Sequence, residues 1–361
     1  MEEKGKKGRM DYTLLLIVVL LVVIGLVILY STSAYNGQVK FHDSFYYLKK
    51  QAFATVLGIV LMLFVAGMDY HIWQRLAVFG YLAAVALSVA VMLFGREING
   101  SKRWLALGPF SFQPSEFAKV ALILFLADLV TKNVKTIGKM WTLCRIMFWI
   151  LPIVGLVGAS NLSTAIIILG IGVILIFVAS PKYAQFALMG IAGVCFMGIF
   201  LALESYRLER LAIWRNPEKY EKGYQTLQGL YAIGSGGVFG VGIGNSVQKL
   251  GFVPEAQNDM IFSIICEELG LAGAGIIVFL FLLLIWRFFL IASGSRDLFG
   301  ALIATGAMAH MMIQVILNIA VVTNTIPNTG ITLPFISYGG TSVMFLLIEM
   351  GLVLSVSQVV D

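Results

Sequence analysis

Apolar residues along this chain gather in long stretches with short polar breaks, near 14–30, 52–67, 76–94, 117–130, 146–159, 162–179, 184–203, 260–286, 298–322 and 335–358. Most are long enough to cross a bilayer as helices, and no ten-residue alternating pattern suggests a β-barrel. The stretches at 117–130 and 146–159 are short for a crossing. The second runs into its successor across Ser160-Asn161, where Pro152 and Gly155 favour a tight turn between two helices over one long helix. The pattern predicts an all-α integral membrane protein of about ten spans, with nine or eleven still compatible. It forms one polytopic domain over residues 1–361.

One polar excursion breaks the pattern. Residues 204–258, between spans seven and eight, end in Val253-Pro254-Glu255-Ala256-Gln257-Asn258-Asp259, which sets Asp259 at the mouth of the next helix. There water, lipid headgroup and low-dielectric interior meet, a setting in which a carboxylate can act as base on a lipid-anchored substrate.

Composition agrees with the pattern: 59% of residues are hydrophobic, 12% are charged and the mean hydropathy is +0.92. A soluble domain of this length could not hide so much apolar surface. Lys and Arg of the short loops divide twelve to six in favour of a cytoplasmic N-terminus. An even span count then places the C-terminus inside and the 204–258 loop outside. The first span has too long a core for a cleaved signal peptide. Cys144, Cys195 and Cys266 lack metal spacing and read as packing residues. The net charge of +6 suits an anionic membrane surface, and no basic stripe with interleaved aromatics points to nucleic acid.

Four segments carry candidate chemistry. Glu204–Leu211 has the spacing of an interfacial amphipathic helix, with Arg210 either solvated or aimed at a phosphate. The run Gly236-Gly237-Val238-Phe239-Gly240-Val241-Gly242-Ile243-Gly244 lacks the strand a dinucleotide loop needs. It either presents backbone N–H groups to an anion or packs tightly against a helix. In the 99–119 segment, Lys102-Arg103-Trp104 could anchor at the interface. Glu116 and Lys119, three apart in an apolar span, are expensive unless paired, and read as a pair bordering a cavity or as a brace. The uncharged segment 324–342, rich in Pro, Gly and hydroxyls, either dips into the protein to meet a polar ligand or is a tight turn before a broken helix.

These blocks together resemble the SEDS family of bacterial envelope proteins, which contains FtsW, RodA and SpoVE. The matching segments are 99–104, 113–119, 232–244, 254–270 and 334–342, and the 254–256 and 329–342 blocks lean toward the FtsW/SpoVE branch. The resemblance implies a peptidoglycan glycosyltransferase that polymerises lipid II at the outer face of the bacterial cytoplasmic membrane. It implies Asp259 as the catalytic acid, with Trp104, Glu116, Lys119, Arg210, Lys249 and Glu255 in substrate-binding positions. It also implies a class B penicillin-binding protein as partner. It fixes no cofactor, and leaves room for a divalent cation, Mg or Mn, to help stabilise the departing pyrophosphate. Two positions depart from the family pattern: Asn161, where Asp is frequent, and Gln257-Asn258, where His-Thr is frequent. A lipid II flippase and a scaffold for a penicillin-binding protein are the competing readings.

Overall fold

The computed structural model describes residues 8–98, 101–107, 110–187, 190, 191, 193 and 211–359. It is a helical bundle. Three helices come first: α1 (Tyr12–Phe41), α2 (Tyr46–Gly67) and α3 (His71–Phe94). A small sheet follows, with β1 (Arg96–Ile98), β2 (Ser101–Leu107) and β3 (Phe110–Phe112), and then α4 (Pro114–Asn133), α5 (Met140–Ser160) and α6 (Leu162–Ala179). The last elements are α7 (Tyr224–Ser235), α8 (Ile261–Gly294), α9 (Leu298–Val322) and α10 (Gly340–Ser357). Among the described residues, 8 helices are long and apolar enough to cross a membrane. α4 falls outside that set because it carries Glu116, Lys119, Asp128 and Lys132. The expected seventh span, 184–203, lies for the most part outside the described residues.

The chain is mostly helical, as expected, and a small sheet not foreseen from the sequence accompanies the helices. Its strands pair antiparallel in the order β1-β2-β3, with Arg96 opposite Trp104 and Leu105 opposite Phe112. In sequence, Asn99-Gly100 and Gly108-Pro109 are turn dipeptides that punctuate the segment, but outer strands of three residues are too short to show a period of two. The tight turn predicted after α5 is present: helix gives way at Asn161, whose side chain caps α6 by accepting from Thr164 N at 3.2 Å.

Burial sorts the helices into a centre and a ring. The most apolar stretch is 67% buried within the protein in α9 and 78% in α10, but only 28–50% in the other six candidate spans, whose outer faces are left for lipid. α4 is also buried along nearly its whole length. Close approach at the centre needs small residues. A Cβ on Gly351 of α10 would stand 2.5 Å from Met62 O of α2, and one on Gly306 of α9 would meet Ile123 of α4 at 2.6 Å.

Asp11 caps α1, pairs with Arg287 of α8 and accepts no less a role at the chain's far end, where its N–H donates to Ser357 Oγ at 3.1 Å. The start of α1, the end of α8 and the end of α10 therefore share one end of the bundle. Asp259, which precedes α8, lies at the opposite end.

The glycine run packs against a kink in α8. Gly270 adopts φ 66°, ψ −169° and interrupts the helical hydrogen bonds. The carbonyls freed at Glu267 and Glu268 accept from Val241 N at 3.0 Å and Gly242 N at 2.9 Å, while Leu271 N and Ala272 N donate to Gly237 O and Val238 O. Of the two roles open to this run, tight packing is the one observed, since these amides are spent on α8. A Cβ at Gly240 would lie 2.2 Å from Glu268 O and one at Gly236 1.8 Å from Cys266 O, whereas Gly234 faces open space. Gly240→Ala, at φ 77°, is expected to cost at least the about 1–3 kcal/mol of backbone strain alone. Gly234→Ala, inside α7, should be neutral or slightly stabilising. Thermal unfolding of the two variants in one detergent checks the contrast.

Candidate functional site

The end of the bundle that holds Asp259 is built from loops pinned to helix ends. Residues 331–337 dip into the protein: Ile331, Leu333, Phe335, Ile336 and Ser337 are buried, and helix resumes only at Gly340. Buried irregular backbone must be satisfied internally. Leu333 N donates to Ser337 Oγ at 2.8 Å, Ser163 Oγ of α6 donates to Thr329 O at 2.9 Å, and Tyr338 N donates to Gln257 O at 2.9 Å. The last bond ties this segment to the loop of Asp259. Gln225 of α7 joins the same two loops, donating to Pro254 O at 3.2 Å and accepting from Asn328 Nδ2 at 3.1 Å.

Asp259 is buried, 8% exposed, at the start of α8. The amide of Gln225 reaches its Oδ1 only at 3.5 Å, and Gly330 lies against it, with a Cβ there 3.8 Å from Oδ2. Burial pushes its carboxyl up to about 7 and the nearby Glu255 charge adds to this, while the backbone N–H groups of Asp259 and Met260 oppose it. Such a carboxyl can take up and release a proton near neutrality. Glu255 sits in a left-handed turn, φ 54°, and accepts from Asn258 Nδ2.

Glu116 and Lys119 form the expected pair, 3.0 Å apart and almost wholly buried. Glu116 also accepts from Ser342 Oγ of α10 at 2.9 Å, and Lys119 Nζ donates to Gln314 Oε1 of α9 at 3.3 Å. His310 Nε2 meets the same Gln314 oxygen at 2.8 Å, and His310 Nδ1 lies 2.7 Å from Glu349 Oε2. Three central helices are thus joined by one polar chain inside the apolar bundle.

Lys249 is likewise buried. Its ammonium is 2.7 Å from Glu268 and 3.0 Å from Ser31 Oγ of α1, so its charge is matched within the protein. Trp104 is half-buried in β2, in a sheet moored by Arg103 Nε to Ser160 O at 3.0 Å and by Thr341 Oγ1 to Ser111 O at 2.8 Å. Arg210 and the amphipathic segment before it lie outside the described residues. Trp214, four residues on, donates from Nε1 to Asn324 O at 2.9 Å. The departures from the family pattern have local partners: Asn161 caps α6, and Gln257 accepts from Asn36 Nδ2 of α1 at 3.0 Å.

Gln225, His310, Gln314, Asn318, Glu268 and Glu349 were not singled out from the sequence. The signal existed for three of them, since His310, Gln314 and Asn318 recur every fourth residue in an apolar span and so share one helix face. Among the described residues no three His, Cys, Asp or Glu side chains converge on a cation site.

Breaking the Glu116–Lys119 pair from one side leaves a buried charge alone, so Glu116→Gln and Lys119→Met should each cost about 3–5 kcal/mol. The double variant should cost less than the two together. A double-mutant cycle on unfolding in detergent measures the coupling, and simple additivity would remove it.

Residues 12–361 match the family described as cell cycle protein, FtsW/RodA/SpoVE. Stage V sporulation protein E of Bacillus subtilis (strain 168) is 40% identical, with 98% of each chain covered. A probable peptidoglycan glycosyltransferase FtsW from Trichlorobacter lovleyi is 35% identical, covering 96% of this chain and 93% of the relative. Among solved structures, a chain of a peptidoglycan synthase complex that coordinates polymerization and crosslinking superposes with a TM-score of 0.83 at 30% identity, covering 96% of this chain and 97% of that one. The rod shape determining protein RodA of Thermus thermophilus gives a TM-score of 0.72 at 28% identity, with 96% of each chain covered. The chain belongs to the FtsW/RodA/SpoVE family of cell cycle proteins.

Proposed function

We propose that this chain is a peptidoglycan glycosyltransferase that polymerises lipid II into β-1,4 glycan strands at the outer face of the cytoplasmic membrane, with Asp259 as general base. The observation that carries this reading is the buried Asp259 carboxyl, poised near neutrality at a helix mouth by burial and Glu255. In the reaction, Asp259 takes the proton from the acceptor GlcNAc 4-hydroxyl. The oxygen bonds to the anomeric carbon of the donor MurNAc, and the bond to undecaprenyl pyrophosphate breaks. Pyrophosphate leaves without a general acid, so one carboxylate suffices, unlike the paired carboxylates of glycoside hydrolysis.

Positive groups would stabilise charge growing on the pyrophosphate. Arg210 is the leading candidate. Lys249, whose charge is matched by Glu268, is better suited to hold the loop that leads to Asp259. Trp104, Glu116 and Lys119 would border the cavity, and Glu255 would tune the base. The relatives' names and the synthase-complex fold support polymerisation within a complex, and a class B penicillin-binding protein would be the partner that crosslinks the product. Flipping or scaffolding alone gives the Asp259 proton no task.

Asp259→Asn keeps shape and capping ability but cannot accept a proton, so folded variant should lose about 10²–10⁴-fold in polymerisation. If Asp259 merely caps α8, a role typically worth about 1 kcal/mol, Asn would serve as well and near-wild-type polymer would refute the assignment. The base must be ionised, so wild-type activity should rise with pH through about 7 and level off above it, the direction set by the raised carboxyl. Glycan gels from purified lipid II across a pH series read both outcomes.

The proposed orientation makes exposed Lys222 extracytoplasmic. A single cysteine at Lys222 in a cysteine-free background should react with an impermeant thiol reagent in intact cells. Labelling only after permeabilisation would reverse the topology.

A further inference from the structure

The loop of Asp259 and the segment after Gly330 are held from within the bundle by two neutral side chains. Asn318, wholly buried in α9, uses its amide nitrogen twice, donating to Asp259 O at 2.9 Å and to Ile331 O at 2.7 Å. One turn earlier, Gln314 donates from Nε2 to Thr332 O at 3.1 Å. Its Oε1 accepts from Lys119 Nζ and faces His310 Nε2. Reversing that amide would set its nitrogen against an ammonium and its oxygen against a carbonyl, so Lys119 fixes its direction. His310 Nε2 then faces an acceptor, the Gln314 oxygen. Ile331 and Thr332 directly follow Gly330, which lies against the Asp259 carboxyl.

We propose that Asn318 and Gln314 are positioning residues for Asp259: one face of α9 holds both the Asp259 backbone and the 330–332 segment that covers its carboxyl, and Lys119 acts on the site by orienting Gln314. This rests on Asp259 being the base. The intramembrane charges need not touch substrate to matter, because they set the geometry of the loop that does. A small displacement of a reacting group is costly, and an Asp259 no longer covered would be rehydrated and return toward an ordinary carboxyl.

The test uses full-length Asn318→Ala, Asn318→Ser and Gln314→Met, polymerising purified lipid II, with rates expressed per folded molecule. Asn318→Ala and Gln314→Met should each lower kcat by about 10²-fold, the scale of a small misplacement, with KM little changed. The acid limb of the pH profile should move to lower pH in both. Asn318→Ser, which retains one donor, should lose less. A purely structural role would lower only the yield of folded protein, leaving kcat and the pH limb as in wild type, and that result overturns the proposal. If Asn318→Ala fails to insert, Gln314→Met decides, since Gln314 bonds the segment after Gly330 at Thr332 O and makes no bond to Asp259 itself. Asp259→Asn assayed alongside separates the two levels. An active Asp259→Asn removes the base itself, whereas an inactive one with normal α9 variants keeps the base and removes the clamp.

Discussion

A charge inside a low-dielectric bundle must be answered by another group or it unfolds the region around it, and this constraint organises the centre of the protein. Glu116 and Lys119 answer each other along α4, but each retains capacity that neighbouring helices fill. Ser342 of α10 supplies a donor to Glu116, and Gln314 of α9 supplies an acceptor to Lys119. The three most buried helices are therefore bound by polar contacts of fixed direction as well as by apolar packing. Lipid offers no hydrophobic drive between helices, so small-residue approaches such as Gly306 on Ile123 and directional bonds supply the specificity.

A second buried ion pair works the same way at the periphery. Lys249 and Glu268 join the glycine-rich segment to α8 and, through Ser31, to α1. Glu267 accepts from Val247 N at 3.0 Å and from Ser246 Oγ, so the two adjacent glutamates grip the segment with side chains as well as with the carbonyls exposed at the Gly270 kink. The described part of the polar excursion is thus folded onto α8 and leads from there into Asp259.

What could be read from sequence divides along physical lines. Long apolar runs betray spanning helices because nothing else tolerates them. Ionisable groups within or beside such runs, Glu116, Lys119 and Asp259, stand out because their cost demands a reason. Neutral amides carry no such flag: Asn318 and Gln314 find partners far away in sequence, on backbone carbonyls that only the fold supplies. The glycine run was ambiguous for a related reason, since its N–H groups serve a kink that Glu267-Glu268-Leu269-Gly270 does not announce. The sheet at 96–112 escaped notice because its outer strands are three residues long. The partner of Lys249 was not legible because Glu268, 19 residues on, is brought to it only by the kinked helix and the loop packed upon it.

The bond from Asp11 N to Ser357 Oγ closes the bundle across 346 residues of chain. α10 also packs against α2 more extensively than any other two described helices pack. Helices enter a membrane in the order they are synthesised, so α1 and α2 must wait with a face unfilled until the last helix arrives. A ribosome that stops before α10 releases a chain lacking its most buried span, in which Glu116 keeps Lys119 but lacks Ser342. Completion of the last helix is therefore what fills the face of α2 and supplies the hydroxyl of Ser342 to Glu116.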